Sequence, residues 1–154
     1  MNTSKQLANR FREVLLDGKW IANTNYKELL SDLTWEQATT KVGSLNTIAA
    51  LTFHIDYYIA GLNNLFVNGS LTIQDKFSFD LPPITSEEDW DKLRTTLLRN
   101  AEQFGSHVEA MSDEQLASVF VDEKYGTYQR NIEGIIEHSY YHMGQVSLIK
   151  KHLL

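Results

Sequence analysis

The apolar residues of this 154-residue chain recur at intervals of three and four almost from end to end, the spacing of helices with one buried face. A chain patterned in this way builds its core by packing helix on helix. Leu7, Phe11, Val14, Leu15, Gly18, Ile21, Ala22 and Leu29 follow the spacing and predict one long helix over about residues 4–31, with Thr3 and Gln6 placed as a capping box. Thr34 and Gln37 repeat the box before a short polar turn. A second helix is predicted over about 47–67, with Asn46 as N-cap, a stop at Asn68-Gly69, and Ile48, Leu51, Ile55, Tyr58, Ile59, Leu62, Leu65 and Phe66 on one side. From Leu71 to Leu81 the spacing drops to two before Pro82-Pro83, so this stretch reads as an extended crossover. Thr85 and Glu88 cap a third helix, whose Trp90, Leu93, Leu97, Ala101, Phe104, Val108 and Met111 form a narrow seam. Ser112 and Gln115 open a short turn, an extended piece lies between Val119 and Thr127, and the last helix is predicted over about 128–153. The expected fold is all-α: one domain over residues 1–154, a four-helix bundle with a long crossover between its second and third helices.

Charge and composition exclude several function classes. With 14 Lys plus Arg against 20 Asp plus Glu the net charge is −6, which opposes the phosphate neutralisation that nucleic-acid binding needs. No apolar run approaches the length of a membrane span, and Lys5, Arg10, Arg12 and Glu13 interrupt the apolar stretch of a secretory leader. A cytoplasmic chain without nucleic-acid or membrane partners is expected. The absence of cysteine removes disulfides, thiol nucleophiles and every Cys-bearing zinc or iron-sulfur site, so a transition metal must be held by His, Asp or Glu.

His138 and His142 stand four apart in EHSYYHMGQ (137–145), on one face of the last helix. At about 100° per residue they lie about 60° and 20° from Ile135, at the edge of the buried stripe. On the second helix His54 lies about 120° from Ile48 and beside Leu65, again at the margin of the inward face. Three inward imidazoles on two helices could form a facial triad with open coordination positions, a catalytic arrangement more often than a structural one. They could equally be hydrogen-bonded core residues. The motif HSYYH lacks the glutamate of a zincin, Ile135 and Ser139 stand where a di-iron site needs glutamate, and there is no phosphate loop, nucleophile elbow or EF-hand loop.

The stretches NTIAALTFHIDYYIAGL (46–62) and EHSYYHMGQVSLIKK (137–151) resemble the DinB-like superfamily of metal-binding four-helix bundles, which includes the damage-inducible DinB proteins and the YfiT-type metal-dependent hydrolases. The second stretch is similar to that family's H-x-x-x-H-x-G-Q ending, and the helix order with its long crossover fits over the whole chain. The resemblance implies that His54, His138 and His142 ligate one divalent transition metal, usually nickel or zinc, and that the protein is a homodimer. It further implies a small-molecule substrate, with a low-molecular-weight thiol as one candidate, because some members act as thiol S-transferases or as a mycothiol-dependent isomerase. A metal-dependent hydrolase and a non-catalytic, stress-response metal-binding bundle are the alternatives. No motif identifies the substrate, and no catalytic residue beyond the ligands is assigned.

Other residues have two readings each. Glu133 and Glu137 read as a solvated face with basic neighbours, although Glu137 could orient His138. Gln145, three residues after His142, could bond a ligand's second nitrogen or serve packing, and Gly144 could permit close helix packing or site access. Tyr57, Tyr58, Tyr125, Tyr140 and Tyr141 read first as packing residues and second as proton donors. Arg130 could bind an anionic substrate, His107 and His152 read as surface residues, and Trp20 and Tyr26 fall off the first helical stripe, as surface or interface residues would.

Overall fold

Seven helices each begin at a side chain that accepts from a backbone N–H three residues on, the pattern that satisfies the free donors of a first turn. The computed structural model describes residues 2–154. The helices are α1 (Thr3–Arg12), α2 (Tyr26–Ser31), α3 (Trp35–Thr39), α4 (Ile48–Asn68), α5 (Glu87–Glu109), α6 (Asp113–Ala117) and α7 (Tyr128–Leu153). Among the described residues there is no strand, and a single bridge pairs Val119 with Thr127. Among the described residues no helix is long and apolar enough to cross a membrane.

The caps fall close to their expected places. Thr34 and Gln37 form the reciprocal box, but Asn2 rather than Thr3 caps α1, Thr47 rather than Asn46 caps α4, and Ser86 rather than Thr85 caps α5. In each case two adjacent residues can accept the bond, and the docking of the apolar face decides which one does. Gly69, at φ 79°, ends α4 as anticipated.

The first predicted helix is broken. After α1 the chain makes a π-helical turn over Glu13–Asp17, closed by Gly18 N–H donating to the Glu13 carbonyl at 3.2 Å. A Cβ on Gly18 would stand 2.1 Å from Glu13 Cγ, so only glycine closes this turn. Asn23 then takes a left-handed φ of 58°, and Asn25 caps α2 afresh. The helical register is lost between 18 and 25. Ile21 is consequently exposed, while Tyr26, expected at the surface or an interface, is wholly buried with its hydroxyl donating to the Ser139 carbonyl at 2.7 Å.

The long helices pack in a closed circuit: α1 lies against α5, α5 against α4, α4 against α7, and α7 against α1. Phe11 and Phe104 meet at 4.4 Å between ring centres, and Trp90, fully buried, donates from its indole to the Leu33 carbonyl. Most of the expected core is inside; Phe66, Leu93, Ile135 and Leu153 lie at its edge, Tyr58 is half-buried, and Ile21 and Ala22 are exposed.

The segment between α4 and α5 positions the site. It is irregular rather than extended, with a 3-10 turn over Asp75–Phe77, and Phe77 and Phe79 remain partly exposed. Period two in the sequence therefore marks no strand here, because the segment has no sheet neighbour to pair with. Tyr57 donates to the Gln74 carbonyl and accepts from the Gln74 N–H, and Tyr58 donates to Asp75 Oδ1 at 2.8 Å, which fastens the segment to α4. Gly61 lets it lie close: a Cβ there would stand 2.4 Å from Ile73 Cγ2. Gly61→Ala is expected to lower the urea-unfolding free energy by about 1–3 kcal/mol through this overpacking. Adding Ile73→Ala should restore part of the loss; an equal loss in the double variant would place the strain elsewhere.

Candidate metal centre

His54 on α4 and His138 and His142 on α7 come together where these two helices face each other. Their ligand atoms lie within 4.8 Å of one another, and His54 and His142 are buried while His138 is half-buried. His138 Nε2 lies 3.2 Å from His54 Nε2 and 3.0 Å from His142 Nε2. The opposite ring nitrogens are engaged: His54 Nδ1 donates to the Ser78 carbonyl at 3.2 Å, and His142 Nδ1 donates to Gln145 Oε1 at 2.7 Å. These bonds put the proton on Nδ1 of both rings and leave their Nε2 lone pairs facing His138.

Such a cluster is incomplete by itself. A proton on His138 Nε2 must be shared between the two facing lone pairs, so neither receives a full donor. A cation at the centre serves all three nitrogens at once. Two nitrogens each about 2.0–2.1 Å from one ion, at ligand angles of about 90–110°, stand about 2.8–3.4 Å apart. The 3.0 and 3.2 Å from His138 to its two neighbours fall within that range, and all three ligand atoms lie within 4.8 Å of one another, so the group could hold a divalent metal ion. Among the described residues no carboxylate joins the group.

The surroundings orient the rings and limit water on one side. Phe79 stacks on His54 at 3.9 Å with planes 7° apart, Tyr58 presents edges to His54 and His138, and Tyr141 packs edge-on against His142. On the other side His138 lines a cavity of about 510 Å³ together with Tyr58, Lys124, Tyr125 and Arg130. Burial favours the neutral form of His54 and His138, as ligation requires. Desolvation lowers the His54 pKa, and nearby His142 acts in the same sense, against the Ser78 bond and the Asp75 charge. Desolvation, followed by repulsion from His142 and His54, pushes His138 down to about 4.

The structure brings together all three histidines singled out in the sequence and realises the first reading of Gln145. Glu133 and Glu137 pair with Arg10 and Arg130 at 3.9 and 3.3 Å, away from the rings, as a solvated face. Gly144 serves neither close packing nor site access, because a Cβ there would meet nothing within 4 Å. His107 is half-buried, edge-on to Phe66, and His152 is exposed. The Ser78 carbonyl and Phe79 escape sequence reasoning, since a backbone acceptor has no signature and the 3-10 turn that aims it follows no apolar period. Comparison with protein-family models, curated proteins and solved structures gives no match to this chain.

A pH dependence follows from the depressed pKa of His138. Unfolded, this ring binds its proton near pH 6.5; folded, it stays neutral to about 4, so the unfolded state holds more protons between these values. Metal-stripped protein is expected to lose stability as pH falls from about 6.5 towards 4. His138→Gln should flatten that slope in urea titrations at pH 7.5, 6 and 5, and an unchanged slope would show that His138 is not its source.

Proposed function

We propose that this chain is a four-helix bundle of the DinB-like kind that binds one divalent transition metal through Nε2 of His54, His138 and His142 and uses it in catalysis on a small molecule. The observation that carries this reading is the convergence of three imidazoles whose ligand atoms lie within 4.8 Å of one another, with Nδ1 of His54 and of His142 bonded elsewhere so that their Nε2 lone pairs are free for a cation. The closed packing circuit of α1, α5, α4 and α7, with the long segment between α4 and α5, supports the bundle reading. The cavity beside His138 supports a catalytic over a structural role, because a centre with three protein ligands and an open approach keeps positions for water or substrate.

A bound divalent ion would act there as a Lewis acid, lowering the pKa of a coordinated water or thiol. The chain's own groups do the rest. The Ser78 carbonyl and the Gln145 amide fix tautomer and ring orientation, Phe79 covers His54, and Asp75 holds the Tyr58 hydroxyl at the cavity wall. The resemblance noted in the sequence puts transfer of a small thiol to an electrophile first among reactions and hydrolysis second. From it also come nickel or zinc as the metal and a homodimer, while a cytoplasmic location is proposed from the lack of any apolar run of spanning length.

The test is metal content by elemental mass spectrometry on protein purified without a metal-affinity tag. About one ion per chain is expected in the wild type and almost none in His54→Ala, His138→Ala or His142→Ala. Gln145→Leu should keep the fold while weakening metal affinity about 10–100-fold in chelator competition. Thiol-plus-electrophile panels and ester and amide panels then distinguish transfer from hydrolysis. Wild type that neither retains nor takes up metal overturns the site, and metal without turnover in either panel overturns the catalytic part.

A further inference from the structure

The cavity beside His138 does not end at the metal centre. It adjoins a second cavity of about 410 Å³, and both are walled by Tyr58, Tyr125, Asn131 and Ile135. The two parts differ in chemistry. The part that touches His138 carries two cationic side chains, Lys124 and Arg130, and no carboxylate. The other part is lined by Leu62, Leu71, Ile73 and Phe120, with Asp75 at its wall accepting from Tyr58. A chain of net charge −6 thus lines the part of the cleft that reaches His138 with two cations and no carboxylate.

The cationic end is held in place. Phe120 N–H donates to the Gly126 carbonyl and Tyr128 N–H to the Ser118 carbonyl, which closes the loop carrying Lys124. Asn131, from the first turns of α7, donates to the Tyr125 and Thr127 carbonyls and ties that loop to the helix bearing Arg130. Lys124 lies over the Tyr125 ring and, among the described residues, makes no ion pair. Arg130 gives one guanidinium nitrogen to Glu137 at 3.3 Å, a contact in which both side chains are largely exposed. An exposed pair of this kind is weak, and a guanidinium has five N–H donors, so Arg130 retains donors for a ligand.

We propose that the cleft takes a small amphipathic organic anion, its anionic head held by Lys124 and Arg130 beside His138 and its apolar body lying between Leu62, Leu71, Ile73 and Phe120. The proposal rests on the metal-centre reading above for its functional meaning, since it names the substrate class that this centre would act on. Asp75 fixes the orientation by repelling an anionic head from the apolar end. The apolar walls contribute affinity by area removed from water, and the cations contribute selectivity for charge.

The test is calorimetric titration of zinc-loaded and chelator-stripped full-length protein with 4-phenylbutyrate, its neutral analogue 4-phenylbutan-1-ol, and acetate. The phenylbutyrate is expected to bind at least about tenfold more tightly than the alcohol, a ratio within reach of charge-assisted bonding, and far more tightly than acetate. Lys124→Gln/Arg130→Gln should erase the preference over the alcohol while metal content, measured on the same samples, stays at wild-type level. Equal binding of acid and alcohol, or a preference that survives in the double variant, overturns the anionic head; acetate binding as well as phenylbutyrate overturns the apolar body. Metal present with no acid preference overturns this proposal alone. Metal absent with the preference retained overturns the three-histidine reading and supports the cleft.

Discussion

Three clustered imidazoles, with His138 Nε2 3.2 Å from His54 Nε2 and 3.0 Å from His142 Nε2 and with Nδ1 of the two buried rings already spent on a carbonyl and an amide, are the constraint around which the middle of this molecule is arranged. Hydrogen bonds within the group give the two facing lone pairs a single proton to share, whereas a cation would serve all three nitrogens at once. α4 and α7 must face each other at this level, and the segment between α4 and α5 must bend so that Ser78 reaches His54.

That bend depends on neighbours rather than on local propensity. Two tyrosines on successive positions of α4 hold Gln74 and Asp75, and Gly61 admits Ile73 against the helix one turn further on. The same Tyr58 that grips Asp75 also forms the wall between the metal centre and the cleft, so the fastening of the crossover and the shape of the binding space are one structural fact. At the other wall the loop between α6 and α7 is stitched to α7 by Asn131, which sets Lys124 and Arg130 on the same side as His138. Charge, rather than depth alone, then differentiates the two ends of the cleft.

Much of this was legible beforehand. Helical period, the caps at Thr34 and Ser112, the stop at Gly69 and the whole of α7 follow from local rules, because a first turn needs acceptors and an amphipathic face needs a partner wherever the helix ends up. The i, i+4 spacing of His138 and His142 places two rings together on any helix. His54 joined them through its position at the edge of a second inward face. The break at Gly18 was not legible: Ile21, Ala22 and Leu29 keep a helical spacing by arithmetic, while the π turn closed on Glu13 resets the register and buries Tyr26 instead.

The sequence by itself determined that the chain would be helical, most of the residues that form its core outside the break at Gly18, and which three histidines would edge it, since these depend on interactions between residues a few positions apart. Only the tertiary structure decided that the three Nε2 atoms meet, which groups hold the opposite nitrogens and that a two-ended cleft opens beside His138. Those features join residues separated by 84 positions between His54 and His138, and 24 between His54 and Ser78. Pairings over such separations follow from how whole helices settle against one another, for which no periodicity in the chain is a guide.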